Sequence, residues 1–97
     1  MVAFSTTIVN VHSEVFSHED AARIARQVIQ HGNNPLVMID LSRAAEATTA
    51  AFARLLLLRH ELMNRGRDLQ LVGLTGRVRS LYNVLHMAHL LPTAQAG

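Results

Sequence analysis

Apolar and polar positions along this chain change period several times, and each change marks an element. Thr6 to Val11 (TTIVNV) is short and β-branched, and reads as a strand. Ser17-His18-Glu19-Asp20 then forms a capping-box-like start, and Ala21, Ile24, Ala25 and Val28 recur at the spacing of one helix face. His31-Gly32-Asn33-Asn34-Pro35 ends that helix, with Gly32 able to take a left-handed cap position and Pro35 unable to continue it. Leu36 to Leu41 is apolar throughout except Asp40, the pattern of a strand buried on both faces of a parallel sheet. A leucine-rich helix follows, starting near Thr48 and ending at Gly66, and Leu69 to Leu74 reads as another buried strand. Thr75 is placed to cap a third helix in which Val78, Leu81, Tyr82, Leu85 and Ala88 share one stripe. Leu90-Leu91-Pro92 ends it, leaving room for a short edge strand before a polar tail at 93–97.

The order β-α-β-α-β-α predicts an α/β fold, a mostly parallel central sheet of four to five strands with helices packed on it. No linker, repeat or low-complexity stretch divides the chain, so residues 1–97 are expected to form one domain.

Composition narrows the chemistry. With 97 residues, 49% of them hydrophobic and only 4% aromatic, the core must be built from Leu, Val, Ile and Ala. The absence of Cys excludes disulfides, thiolate metal sites and a Cys nucleophile. No basic leader runs into an apolar stretch, and no run approaches the ~18 residues of a membrane span, so a cytoplasmic protein without membrane insertion is expected. The nine basic residues are all Arg and are unevenly spread: residues 1–50 carry a net −2 and residues 51–97 a net +4. A basic second half permits an acidic partner or a phosphate ligand.

The motifs in order resemble the STAS domain, the family of bacterial anti-sigma-factor antagonists and of cytoplasmic regions of sulfate transporters. Asp40-Leu41-Ser42 matches the D-L-S at the end of the family's strand, and Arg65-Gly66 matches the end of its apolar helix. Leu69 to Val72, Arg77-Val78-Arg79 and Leu90-Leu91-Pro92 follow the rest of its pattern, and His12-Ser13-Glu14-Val15 is similar to the G-E-L segment before its first helix. Counting from Asp40, Thr48 stands where the family usually has Asp, Thr49 at its phosphoacceptor hydroxyl, and Ala50-Ala51 where small residues, often Gly, occur. The resemblance implies a STAS-like sandwich acting as a non-enzymatic regulatory module. Its partner would be a protein such as an anti-sigma-factor kinase, which phosphorylates Thr49 (less readily Thr48). From the residues alone, Thr49 reads as an N-cap or first-turn residue whose hydroxyl satisfies orphan helix amides. Ile39 to Arg43 also resembles the STAS subunit of a bacterial phospholipid ABC transporter, which implies a transporter ATPase as the alternative partner.

A helical wheel at roughly 100° per residue places Ala51, Phe52, Leu55, Leu56, Leu58, Leu62 and Met63 on a core-facing arc of the middle helix. Leu57 falls outside it, on a stripe with Thr49, Ala53, His60 and Asn64, and Thr49, Ala53, Leu57 and His60 form the candidate partner-binding face. Arg59 lies within the arc, its stem along the core edge and its head either in water or paired with a carboxylate, for which Glu61 lies too far around the helix.

Other chemistry is thinly represented. Arg77 and Arg79, beside Gly73-Leu74-Thr75-Gly76, are candidates for anion binding, and a weak nucleotide-binding domain is the third functional reading. Arg65, Arg67, Arg77 and Arg79 would form a basic patch, but without interleaved aromatics nucleic acid is not the expected partner. His86 and His89 are spaced as ligands on one helix, yet nothing completes a metal set. No nucleophile elbow, P-loop or dinucleotide fingerprint is present, so neither catalysis nor a cofactor is expected. A homodimer is compatible with all three readings.

Overall fold

The alternation that begins at Thr6 sets the geometry of a parallel sheet. The structure is a computed structural model and describes residues 6–94. Strand β1 (Thr6–Asn10) pairs with β3 (Leu36–Asp40), which pairs with β5 (Asp68–Val72), giving the order β1-β3-β5. Thr7, Val37 and Leu69 lie side by side, as do Val9, Ile39 and Leu71, and these two rows form the core face. Val37, Ile39, Leu69 and Leu71 are fully buried. Beyond Leu71 a parallel bridge to Thr93 starts the expected edge strand. Of the predicted tail, Thr93 and Ala94 are thus held against β5, while Gln95 to Gly97 lie outside the described residues.

Full burial of Leu36–Leu41 on both faces is not observed. Only alternate residues Val37, Ile39 and Leu41 are buried, because helices cover the core face while Leu36 and Met38 on the other are half-buried. The continuous apolar run therefore hides an ordinary one-sided strand.

Helix α1 (His18–Gln30) starts as its sequence dictates. The Ser17 hydroxyl accepts the Asp20 amide at 3.2 Å, and the Asp20 carboxylate accepts the Ser17 amide at 3.1 Å. Ala21, Ile24, Ala25 and Val28 are its buried stripe. At its far end Arg67, expected in a basic patch, is buried instead: its Nε donates to the Asn34 carbonyl at 2.7 Å and its Nη1 to that of Val28 at 3.2 Å. A carbonyl left free by the helix end and one from the loop that follows it explain the burial of this charge.

Helix α2 (Thr49–Asn64) buries Ala51, Phe52, Leu55, Leu58 and Leu62 and packs on α1. It closes in a Schellman motif: Gly66, with φ of +73°, donates to Met63 O, and Arg67 donates to Leu62 O. Met63 does not join the core and is 52% exposed. It lies about 100° around the helix from the fully buried Leu62, at the margin of the apolar arc rather than its centre. Of the two places open to the Arg59 head, it takes the carboxylate pair. Its Nε donates to Asp68 Oδ1 at 2.9 Å and its Nη1 to the Leu90 carbonyl at 2.9 Å, so the head is tied down rather than left in water.

Helix α3 (Gly76–Val84) is shorter than its apolar stripe predicts. His86 takes a left-handed conformation (φ +55°) and donates its amide to Asn83 O, ending the helix; a 3-10 turn at Met87–His89 follows. Ala88 is consequently exposed rather than core, and Met87 is buried in its place. Tyr82 links this end to the body. Its ring meets Phe52 at a centroid distance of 6.1 Å, and its hydroxyl donates to Leu91 O at 2.5 Å.

One element was not visible in the sequence. Val15–Phe16 (β2) and Glu46–Ala47 (β4) form a two-residue parallel ribbon, too short to show a period. It fixes the entry to α2, with Thr48 N donating to Phe16 O at 3.0 Å.

Candidate functional site

The ribbon and the carboxyl ends of β3 and β5 converge where α2 begins. Here the two adjacent threonines take different roles. Thr48 has extended backbone and is the N-cap, its Oγ1 accepting the Ala51 amide at 3.1 Å. Thr49 is the first helical residue and is exposed, its hydroxyl outside the cap. Ala51 is fully buried beneath them. The first turn of α2 contains no acid, so the positive end of the helix dipole has no neutralising carboxylate of its own.

Thr49, Ala53, Leu57 and His60 are all exposed, and Asn64 continues the line to the end of α2. Leu57 is 60% exposed. The predicted stripe is therefore one continuous solvent-facing side of the helix.

Behind this corner, Asp40 caps its own turn. Its Oδ1 accepts the Ser42 amide at 2.8 Å. Hydrogen bonds from the Ser42 side chain and amide, aided by the nearby Arg43 charge, outweigh partial burial and hold its carboxyl below the usual range. Gly73 packs directly against this turn. A Cβ at Gly73 would lie 2.8 Å from Asp40 Oδ1 and 2.9 Å from the Ser42 amide nitrogen, and φ is +75°. The glycine therefore sets how closely β5 approaches the Asp40-Leu41-Ser42 turn. Arg43 reaches away from the carboxylate, its Nη1 2.9 Å from His12 Nδ1.

The anion-binding candidates are drawn to different protein groups. Arg77 pairs with Glu46 of the ribbon, and Arg79 Nε donates to Leu74 O at 3.0 Å. An open groove of about 530 Å³ runs past Arg79 between Met38, Val72, Gly73 and Thr93. Another of about 480 Å³ lies between the ribbon and the start of α3, beside Arg77. With Arg67 buried, the four-arginine patch is broken. His86 and His89 both lie beyond the end of α3 rather than on one helix, His86 at the left-handed start of the 3-10 turn and His89 at its end, both exposed. Among the described residues no cluster of three or more His, Asp or Glu could hold a metal.

No family model and no curated protein sequence matches the chain. Among solved structures, a sulfate transporter family protein from Wolinella succinogenes superposes with a TM-score of 0.75 over 94% of this chain and 75% of that one, at 17% identity. The chain has a STAS-like fold. At that identity the likeness extends to architecture alone. No helix among the described residues is long and apolar enough to cross a membrane.

Proposed function

We propose that this STAS-like domain is a non-enzymatic interaction module that docks a regulatory protein on the α2 face from Thr49 through Ala53 and Leu57 to His60, and that phosphorylation of Thr49 by a partner kinase switches the complex. The observation that carries the reading is the division of labour between the threonines: Thr48 caps the helix, leaving the exposed Thr49 hydroxyl at the head of a face whose centre is Leu57. Small residues, Thr49 and Ala53, leading to a protruding Leu suit a docked helix. A phosphate on Thr49 would add about −1.5 to −2 charge beside free helix amides. Since α2 has no first-turn acid, the domain itself would tolerate that charge. An acidic or closely packed partner face would not.

The test uses the purified chain and a candidate anti-sigma-factor kinase. Leu57→Arg should reduce binding at least tenfold in calorimetry while leaving the thermal transition unchanged; wild-type affinity in that variant removes the face. Incubation with the kinase and ATP should place phosphate on Thr49 by mass spectrometry, and modification at another residue removes the switch.

A further inference from the structure

We infer that the outer edge of β1, to which no strand of the described residues pairs, joins the β1 edge of a second copy, uniting two sheets about a two-fold axis at Ile8. The orientation of the edge follows from one contact. Val11 donates its amide to Asp40 O of β3 at 3.0 Å. Backbone groups of successive strand residues point alternately to either side, so Thr7, Val9 and Val11 bond towards β3. The amides and carbonyls of Thr6, Ile8 and Asn10 point the other way, where no strand of the described residues lies.

An antiparallel pairing centred on Ile8 sets Ile8 opposite its own copy and Thr6 opposite the other Asn10. Each such pair exchanges its outward amide and carbonyl in the hydrogen-bonded register. The strand suits this self-match. It carries no charge, so no like charges meet across the axis, and the small net charge of +2 repels a second copy only weakly. Of the devices that blunt edge strands, Lys, Pro and a bulge are absent from β1, and its shortness, five residues, limits the pairing to a few bonds. Ile8 is 61% exposed although β-branched and apolar. Its register neighbour is Met38, on the half-covered side of the sheet. Pairing would extend this couple into a row of Met38, Ile8, Ile8 and Met38 across the joined sheet. Contact through a single short strand stays below the about 1,200 Å² of standard interfaces, so the dimer forms weakly, with Kd on the order of 100 µM.

Sedimentation of the full chain from about 10 µM to about 1 mM, a range bracketing that Kd, should show a reversible monomer–dimer equilibrium. Over the same range, amide exchange should slow with concentration at Thr6, Ile8 and Asn10, while Thr7, Val9 and Val11 are protected throughout. Ile8→Lys should raise Kd at least tenfold with an unchanged thermal transition, and Ile8→Thr, which keeps the strand preference, should raise it less. Three results overturn the proposal: a monomer at the highest concentration, a dimer indifferent to both substitutions, or edge amides protected only when an extended peptide is added.

Discussion

Replacing Gly73 by Ala tests whether the close approach of β5 to the Asp40-Leu41-Ser42 turn is a requirement of the fold. Two costs add. Holding Ala at φ of +75° costs roughly 1–2 kcal/mol. The new Cβ would also lie 2.8 Å from Ser42 Cβ and 2.9 Å from Ser42 N, well inside the ~3.5–4.0 Å of ordinary contact. Since Ser42 N is backbone, no rotamer relieves it. The turn must move, weakening the 2.8 Å hydrogen bond from Ser42 N to Asp40 at a further cost of about 1–2 kcal/mol. The expected loss is about 2–4 kcal/mol, a fall of about 2 M in the urea midpoint for a domain of this size. Gly66→Ala is the internal control. Its φ is +73°, but nothing lies within 4 Å of the added Cβ, so it should lose only the conformational part. Urea unfolding followed by far-UV circular dichroism measures both. Equal midpoints for the two variants would refute the close-approach argument, because the backbone term is common to them.

The remaining expectations follow from the caps and carboxylates, beside the Leu57→Arg and Ile8→Lys outcomes given above. Thr48→Ala should lower stability by about 1 kcal/mol and Thr49→Ala by much less, since only Thr48 accepts a helix amide; the reverse order in chemical unfolding would reassign the cap. Acid should destabilise the domain chiefly below about pH 4. Burial opposes ionisation of Asp20, but hydrogen bonds from Ser17, Arg23 and Ser13 outweigh it and hold its carboxyl below the usual range. Burial likewise opposes ionisation of Asp68, and Arg59 with the Leu69 amide overcomes it. A depressed carboxyl lends stability that is present above its unfolded pKa and lost as pH falls through the folded one. Asp20→Asn should therefore flatten the acid limb of a midpoint-versus-pH series, and an unchanged limb would count against the Asp20 network.

Long periods were legible from the chain alone. The capping box at Ser17, the α1 stripe, the Arg65-Gly66 helix end and the strands about Val37 and Leu69 each depend on neighbours within a few residues. Exposure of Leu57 followed from the helical angle in the same way. At the site, the sequence placed both threonines at the mouth of α2 but could not divide their roles. Adjacent hydroxyls compete for one cap, and Thr48 prevails because the Phe16 carbonyl holds its amide in extended geometry.

What the sequence by itself determined is the order of elements, the core stripes and the face that begins at Thr49, because local periodicity and capping chemistry act over one or two turns. Tertiary structure alone decided the rest. The Val15–Phe16 ribbon with Glu46–Ala47 pairs segments about thirty residues apart, and Arg59 and Arg67 find acceptors on other elements. α3 stops before His86 with no Gly or Pro to announce it, Met38 is only half-covered within an apolar strand, and Ile8 stays exposed. These outcomes depend on which groups the packed chain brings within a hydrogen bond of one another, and no local pattern carries that information.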